Sequence, residues 1–355
     1  MLDEAIDLLE HMIATPSVSR DEAAVATLIY ERLEAWGLEP HRHGNNIVAK
    51  APAWQSGKPV LMLNAHIDTV RPAASYTIDP YKPLRCDGRI YGLGSNDDGA
   101  SVVSLISVFR KLRDTSLPYN LLLALSAEEE VGGEGGMRLL LPALAQEGIK
   151  IDAALVGEPT GMQPAIAERG LIVLDCVTQG VAGHAARNEG INAIYRAMAD
   201  IDILRGFRFD RQSDILGPIK VSITQIEAGK QHNTVPDTCR WVVDVRTTDA
   251  YTNEETSEML RSALSPHTTA AHRSTRVQAS VIHSSHPLVK GAVALGRTTF
   301  VSPTTSDMSL MHGIPSLKMG PGDSSRSHRA DEYILVGEIE EAIGLYTSLL
   351  TNLNL

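Results

Sequence analysis

A chain of 355 residues exceeds one typical core, so two domains are expected, and its 43% hydrophobic content is ordinary for a globular protein. Thirty-two basic against 43 acidic residues leave a net charge of -11, which argues against nucleic acid or an anionic membrane surface as the main partner. Cys86, Cys176 and Cys239 form no CxxC pair, Asp3-Glu4 stands where a signal peptide carries basic residues, and no apolar run approaches the roughly 20 residues of a membrane span, so a cytoplasmic chain without disulfides or cysteine zinc knuckles is expected.

Helical spacing of Leu, Ile and Met covers Leu2 to Ile13, and Thr15-Pro16-Ser17 breaks it. Ser19-Arg-Asp-Glu22 reads as a capping box opening a helix to Trp36, with Gly37 just past its end. Asn46 to Ala49 and Val60 to Asn64 are apolar runs of buried strands. A helix from Asp98 to Leu112, a strand from Leu121 to Leu125, a helix from Gly136 to Gln146 and a strand from Ala153 to Val156 follow. This alternation predicts an α/β layer with a mixed, largely parallel sheet.

The second half changes character. Leu171 to Val177, Ile219 to Glu227, Arg240 to Arg246 and Val277 to His283 read as strands, with helices at Ile191 to Leu204 and Asn253 to Leu264. That order, βαββαβ, is a small ferredoxin-like α+β sheet with helices on one face. Pro287 to Phe300, Pro315 to Met319 and Glu338 to Leu350 then resume helix, strand and helix. The simplest topology inserts residues 167–284 into a discontinuous domain of residues 1–166 and 285–355.

Five segments concentrate imidazoles and carboxylates at strand ends or glycine-rich turns. They are His66-Ile-Asp68, Gly92-Leu-Gly-Ser-Asn-Asp97-Asp98-Gly99, Ser126-Ala-Glu128-Glu129-Glu130-Val-Gly-Gly133, Gly157-Glu158-Pro159-Thr160, and the run from Gly320 through His328 to Glu332. Ligand sites of such sheets lie at the carboxyl ends of the strands. Nitrogen and carboxylate donors without thiolates suit zinc or a similar divalent ion. Carboxylates this dense repel one another in a dry cleft unless cations compensate them, and two divalent ions would do so. The Gly92-x-Gly94 turn is not a dinucleotide loop, because Asp97 occupies the position of its third glycine.

In this order, the five segments resemble the M20 family of co-catalytic zinc peptidases and deacylases, over nearly the whole chain. The resemblance implies a zinc-peptidase-like catalytic domain with an inserted lid and dimerisation domain, two Zn2+ per subunit with Co2+ able to substitute, and a homodimer. It implies that His66 and Glu158 bind one metal, His328 and Glu130 the other, and that Asp97 bridges them. Asp68 would orient the His66 ring, and Glu129 would be the general base, its side chain directed away from that of Glu130. His184, in Gly183-His184-Ala185, would donate to the oxyanion of the partner subunit's substrate. Asn233 and Arg246 would hold the α-carboxylate. Two departures stand out. Gly99 replaces the lysine of the family's Asp-x-Lys-Gly turn, and Arg187-Asn188-Glu189 replaces a proline after the Gly-His pair.

The segments Thr304-Thr-Ser-Asp307-Met-Ser and Gly320-Pro-Gly-Asp-Ser-Ser resemble the short deacylating members, so the expected substrate is a small N-acyl amino acid, first N-acetyl-L-ornithine. N-acetyl-lysine, N-acyl-citrulline, N-succinyl-diaminopimelate and dipeptides are the alternatives. A catalytically silent metal-binding interaction protein would lack the base or a ligand, and neither is missing.

Overall fold

Four apolar runs form the centre of the first sheet. Asn120–Ser126, Val60–His66, Ala153–Val156 and Ser316–Lys318 lie side by side in that order, all parallel. Every residue in them is buried, and apolar side chains dominate the first three. Asn46–Lys50 and Pro40–His43 extend one edge antiparallel. Successive side chains leave opposite faces. Leu61, Leu63, Leu121 and Leu123 therefore join a core with helices Leu2–Ile13, Ala23–Ala35, Ala100–Leu112 and Val336–Asn352. Met62, Leu122 and Ala124 pack on the other side against Met137, Leu140 and Leu144 of helix Met137–Gln146.

This computed structural model describes residues 1–187 and 189–355; Asn188, in the segment that replaces the family's proline, lies outside them. The chain divides into two units, one of Met1–Ile166, Ile282–Val301 and Ser306–Leu355, the other of Ala167–Val281 and Ser302–Thr305. Among the described residues, no helix is long and apolar enough to cross a membrane.

The second unit holds a four-stranded antiparallel sheet in the order Lys220–Ala228, Thr238–Thr247, Gly170–Gln179, Thr268–His272. Burial alternates along Gly170–Gln179, and its inward residues Ile172, Leu174 and Cys176 pack with Trp241, Val243, Ala197 and Leu260. Helices Ala193–Gly206 and Asn253–Ser262 supply the last two, so the βαββαβ order is present.

Three local expectations need correction. The fourth strand of this sheet is Thr268–His272, whereas residues 277–283 contain only the short strand Ser280–Val281. Thr-Thr-Ala-Ala-His has no apolar run; its place comes from the ladder to Gly170–Gln179 and from a buried hydroxyl pair, Thr178 with Thr268 at 2.6 Å. The second helix begins at Ala23 with Glu22 rather than Ser19 at its N-cap and with no side-chain cap, and the Ser19 hydroxyl donates to Asp68 Oδ2 at 2.6 Å. The helix expected from Asp98 begins at Ala100, after a π-type turn over Ser95–Gly99 in which Asp97 and Asp98 are not helical.

Candidate active site

Parallel register lines up the strand ends. His66 closes its strand opposite Ser126, and Val156 lies beside both Asn64 and Lys318. The turns leaving these strands therefore start at one edge of the first unit, which brings together side chains up to 262 positions apart, from His66 to His328.

The Asp97 carboxylate faces two imidazoles. Its Oδ1 is 3.1 Å from His66 Nε2, and its Oδ2 is 3.8 Å from His328 Nε2. His328 Nε2 also lies 2.9 Å from Glu130 Oε2. The ligand atoms of His66, Asp97 and Glu130 sit within 4.8 Å of one another, as do those of His66, Glu129 and Glu158. The His66 ring contacts the Asp68 carbonyl oxygen through Nδ1 at 2.9 Å. A carbonyl only accepts, so Nδ1 carries the proton and Nε2 turns its lone pair toward the carboxylates when the ring is neutral.

The Asp68 carboxylate is 3.4 Å from His66 Nδ1 but holds closer partners elsewhere. It accepts the Glu129 amide at 3.0 Å, the Glu130 amide at 3.2 Å and the Ser19 hydroxyl. It thereby fixes the 3-10 turn Glu129–Val131, in which Glu129 and Glu130 enter different donor groups. Glu128 before that turn has a positive φ of 54°, and a Cβ on Gly133 would lie 1.8 Å from its carboxylate, so only glycine fits there.

Electrostatics mark the site as short of positive charge. Burial, reinforced by neighbouring carboxylates, pushes Asp98 up to about 7 and Asp307 up to about 6. Burial also drives Glu129 and Glu158 well above the usual carboxylate range; Glu158 and Asp307 add to it at Glu129, and Asp97 and Asp98 at Glu158. For His66 burial acts downward, but the Asp68 and Asp97 contacts outweigh it and hold the ring well above its usual value. Glu130 raises His328. A buried ammonium, Lys318 Nζ, lies 3.9 Å from Glu158 Oε2 and opposes the rise at Glu158. This set of oxygen and nitrogen donors, crowded, buried and without thiolates, fits divalent cations.

Asp98, Asp307, Lys318 and Glu332 belong to this neighbourhood although the sequence reading gave them no role. Asp307 accepts from the Ser126 hydroxyl at 2.5 Å, and Asp98 Oδ2 accepts the His66 amide at 3.3 Å. The available signal was polarity inside otherwise buried runs, plainest for Lys318, which ends an apolar strand and is 2% exposed.

His184, Asn233 and Arg246 lie in the second unit. Gly183–His184 pairs with Thr234–Val235, which sets His184 close to Asn233, whose carbonyl accepts the Ala185 amide at 3.0 Å. His184 Nδ1 accepts the Ala186 amide at 3.2 Å. Arg246 is paired with Asp244 at 2.9 Å and is 44% exposed.

The family model described as "Peptidase family M20/M25/M40" matches residues 62–352. The succinyl-diaminopimelate desuccinylase of Paracoccus denitrificans is 28% identical over 273 residues, 73% of this chain and 72% of that protein. The acetylornithine deacetylase of Proteus mirabilis is 26% identical over 380 residues, 98% of this chain and 96% of that protein. Among solved structures, the Bacillus subtilis YXEP protein, described as a dinuclear metal binding peptidase, superposes with a TM-score of 0.74 at 17% identity, covering 99% of this chain and 97% of that one.

Proposed function

The chain belongs to peptidase family M20/M25/M40, and from that premise we propose that it is a two-cation amidohydrolase removing the N-acyl group from an amino acid, first of all acetyl from N-acetyl-L-ornithine. The observation that carries the reading is the convergence of His66, Asp97, Glu130 and His328 with Glu129 and Glu158 at one edge of a parallel sheet. In it, His66 and Glu158 would hold one Zn2+, His328 and Glu130 would hold the other, and Asp97 would serve both, with Co2+ able to substitute. Two such ions supply positive charge that polarises the acyl carbonyl and brings the pKa of water toward neutrality.

The protein's own groups do the rest. The Glu129 carboxylate accepts a proton from the attacking water and returns it to the leaving amine. Asp68 holds Glu129 and Glu130 in register through their amides and, through its carbonyl, keeps the His66 proton on Nδ1. His184 donates to the developing oxyanion, and Asn233 and Arg246 grip the substrate's α-carboxylate. The second unit serves as lid and dimerisation domain, so that His184 acts on the active site of the partner subunit.

A second substrate reading, N-succinyl-diaminopimelate, is favoured by the Paracoccus relative. The test is a panel of N-acetyl-ornithine, N-acetyl-lysine, N-acetyl- and N-succinyl-citrulline, N-succinyl-diaminopimelate and dipeptides, offered to protein loaded with Zn2+ or Co2+. Preference for N-acetyl-ornithine is expected. A clear preference for dipeptides would overturn the deacylase assignment, and tight metal without turnover would point to a silent binding protein.

A further inference from the structure

His328 comes from a loop, whereas His66 comes from the end of a buried central strand, so something must hold the loop in place. The loop is tied to the Asp97 turn on both sides of the imidazole. Before His328, the Asn96 side chain donates to the Asp323 carbonyl at 3.1 Å and to the Ser327 hydroxyl at 3.3 Å, and accepts the Asp323 amide at 3.0 Å. A Cβ on Gly322 would lie 2.3 Å from Asn96 Oδ1, so that approach is possible only at glycine. After His328, one oxygen of Glu332 accepts the amides of Asn96 at 2.8 Å and Asp97 at 2.9 Å, while its own carbonyl accepts the Gly92 amide at 3.0 Å. Both residues are nearly sealed from solvent, Asn96 at 0% and Glu332 at 2% exposure.

We infer that Asn96 and Glu332 are positioning residues that form a two-point staple, and that this staple fixes the distance between His328 and Asp97 and so decides whether the second cation is held. The inference rests on the two-cation reading above. His66 and Glu158 leave strands in the sheet and do not need the staple, so its removal weakens the ion that His328 and Glu130 would hold more than the other, which it reaches only through Asp97. Loss of a buried partner that orients a ligand typically weakens a metal roughly 10–100-fold.

The experiment is calorimetric titration of metal-free protein with Zn2+, with thermal melts of each variant. Wild type should bind two ions. Glu332→Ala and Asn96→Ala should each weaken the His328-side ion roughly 10–100-fold and the other by less. Glu332→Gln keeps an oxygen acceptor for both amides and should bind both ions within threefold of wild type. Should Glu332→Ala fail to fold, Asn96→Ala carries the test alone. Wild-type affinity for both ions in the alanine variants, equal weakening of both ions, or a glutamine variant as impaired as alanine would each overturn the staple. A wild-type chain that binds fewer than two ions would sink the two-cation reading itself, and the staple with it.

Discussion

Asp97 presents one carboxylate oxygen to His66 at 3.1 Å and the other to His328 at 3.8 Å. A single side chain thus joins a group at the end of a central strand to one in a distant loop. The division of labour among the surrounding acids leads to measurable expectations.

Glu129 sits among donors yet is assigned the proton transfer. Glu129→Ala should lower kcat by about 10²–10⁴-fold with bound metal retained, because general acid–base groups contribute on that scale. Turnover and elemental analysis on the same sample check it. Near-normal turnover in this variant would falsify the assignment.

His184 acts across subunits in the proposed dimer. His184→Ala should lose ~100-fold or more in kcat, the usual effect of removing an oxyanion donor. Mixing inactive His184→Ala and Glu129→Ala subunits should then restore part of the activity, since some hybrid sites regain both groups. If the mixture stays as inactive as its components, the histidine does not work in trans.

His286 caps helix Pro287–Ala294 by accepting the Leu288 amide on Nδ1 at 3.3 Å, which requires a neutral ring. Burial lowers its pKa from the ordinary 6.5. Between the folded pKa and 6.5 the unfolded chain binds more protons, so the contribution of this group to stability is present above 6.5 and is lost as pH falls below it. His286→Asn keeps a capping acceptor without the titration. Melting curves across pH 5–8 should show the wild type losing more stability toward acid than the variant. Parallel curves would remove His286 from the pH dependence.

Asp200 is fully buried in the second unit and accepts three hydrogen bonds, from the amide and hydroxyl of Ser265 at 2.9 Å each and from the Thr268 hydroxyl at 2.5 Å. Asp200→Ala leaves those donors without their partner and should destabilise by about 3 kcal/mol or more, given ~1–3 kcal/mol for each unsatisfied buried group. Asp200→Asn retains an acceptor and should cost less. Denaturant unfolding of the two variants decides it, and equal losses would mean that charge rather than hydrogen bonding matters.

Much of this molecule was legible in linear order. Buried parallel strands need unbroken apolar runs, so Val60 to Asn64, Leu121 to Leu125 and Ala153 to Val156 announced themselves, and the acids and histidines just after them marked the site edge. Thr268–His272 did not, because an edge strand of small and polar residues owes its place to a neighbour's backbone and carries no periodic signal of its own. Ser19 likewise looked like a cap, and only the fold set Asp68 close enough to accept its hydrogen bond.

Hydrophobic patterning and side-chain chemistry are local properties, so most of the strand and helix order and the residue types available to bind cations can be read along the chain. Tertiary structure alone decided which of those residues meet. The Asp68 carboxylate reaches the Glu129 and Glu130 amides, and Glu332 reaches the Asn96 and Asp97 amides, through contacts 61 to 236 positions apart. Such contacts depend on sheet register and loop closure, which no short stretch of chain encodes.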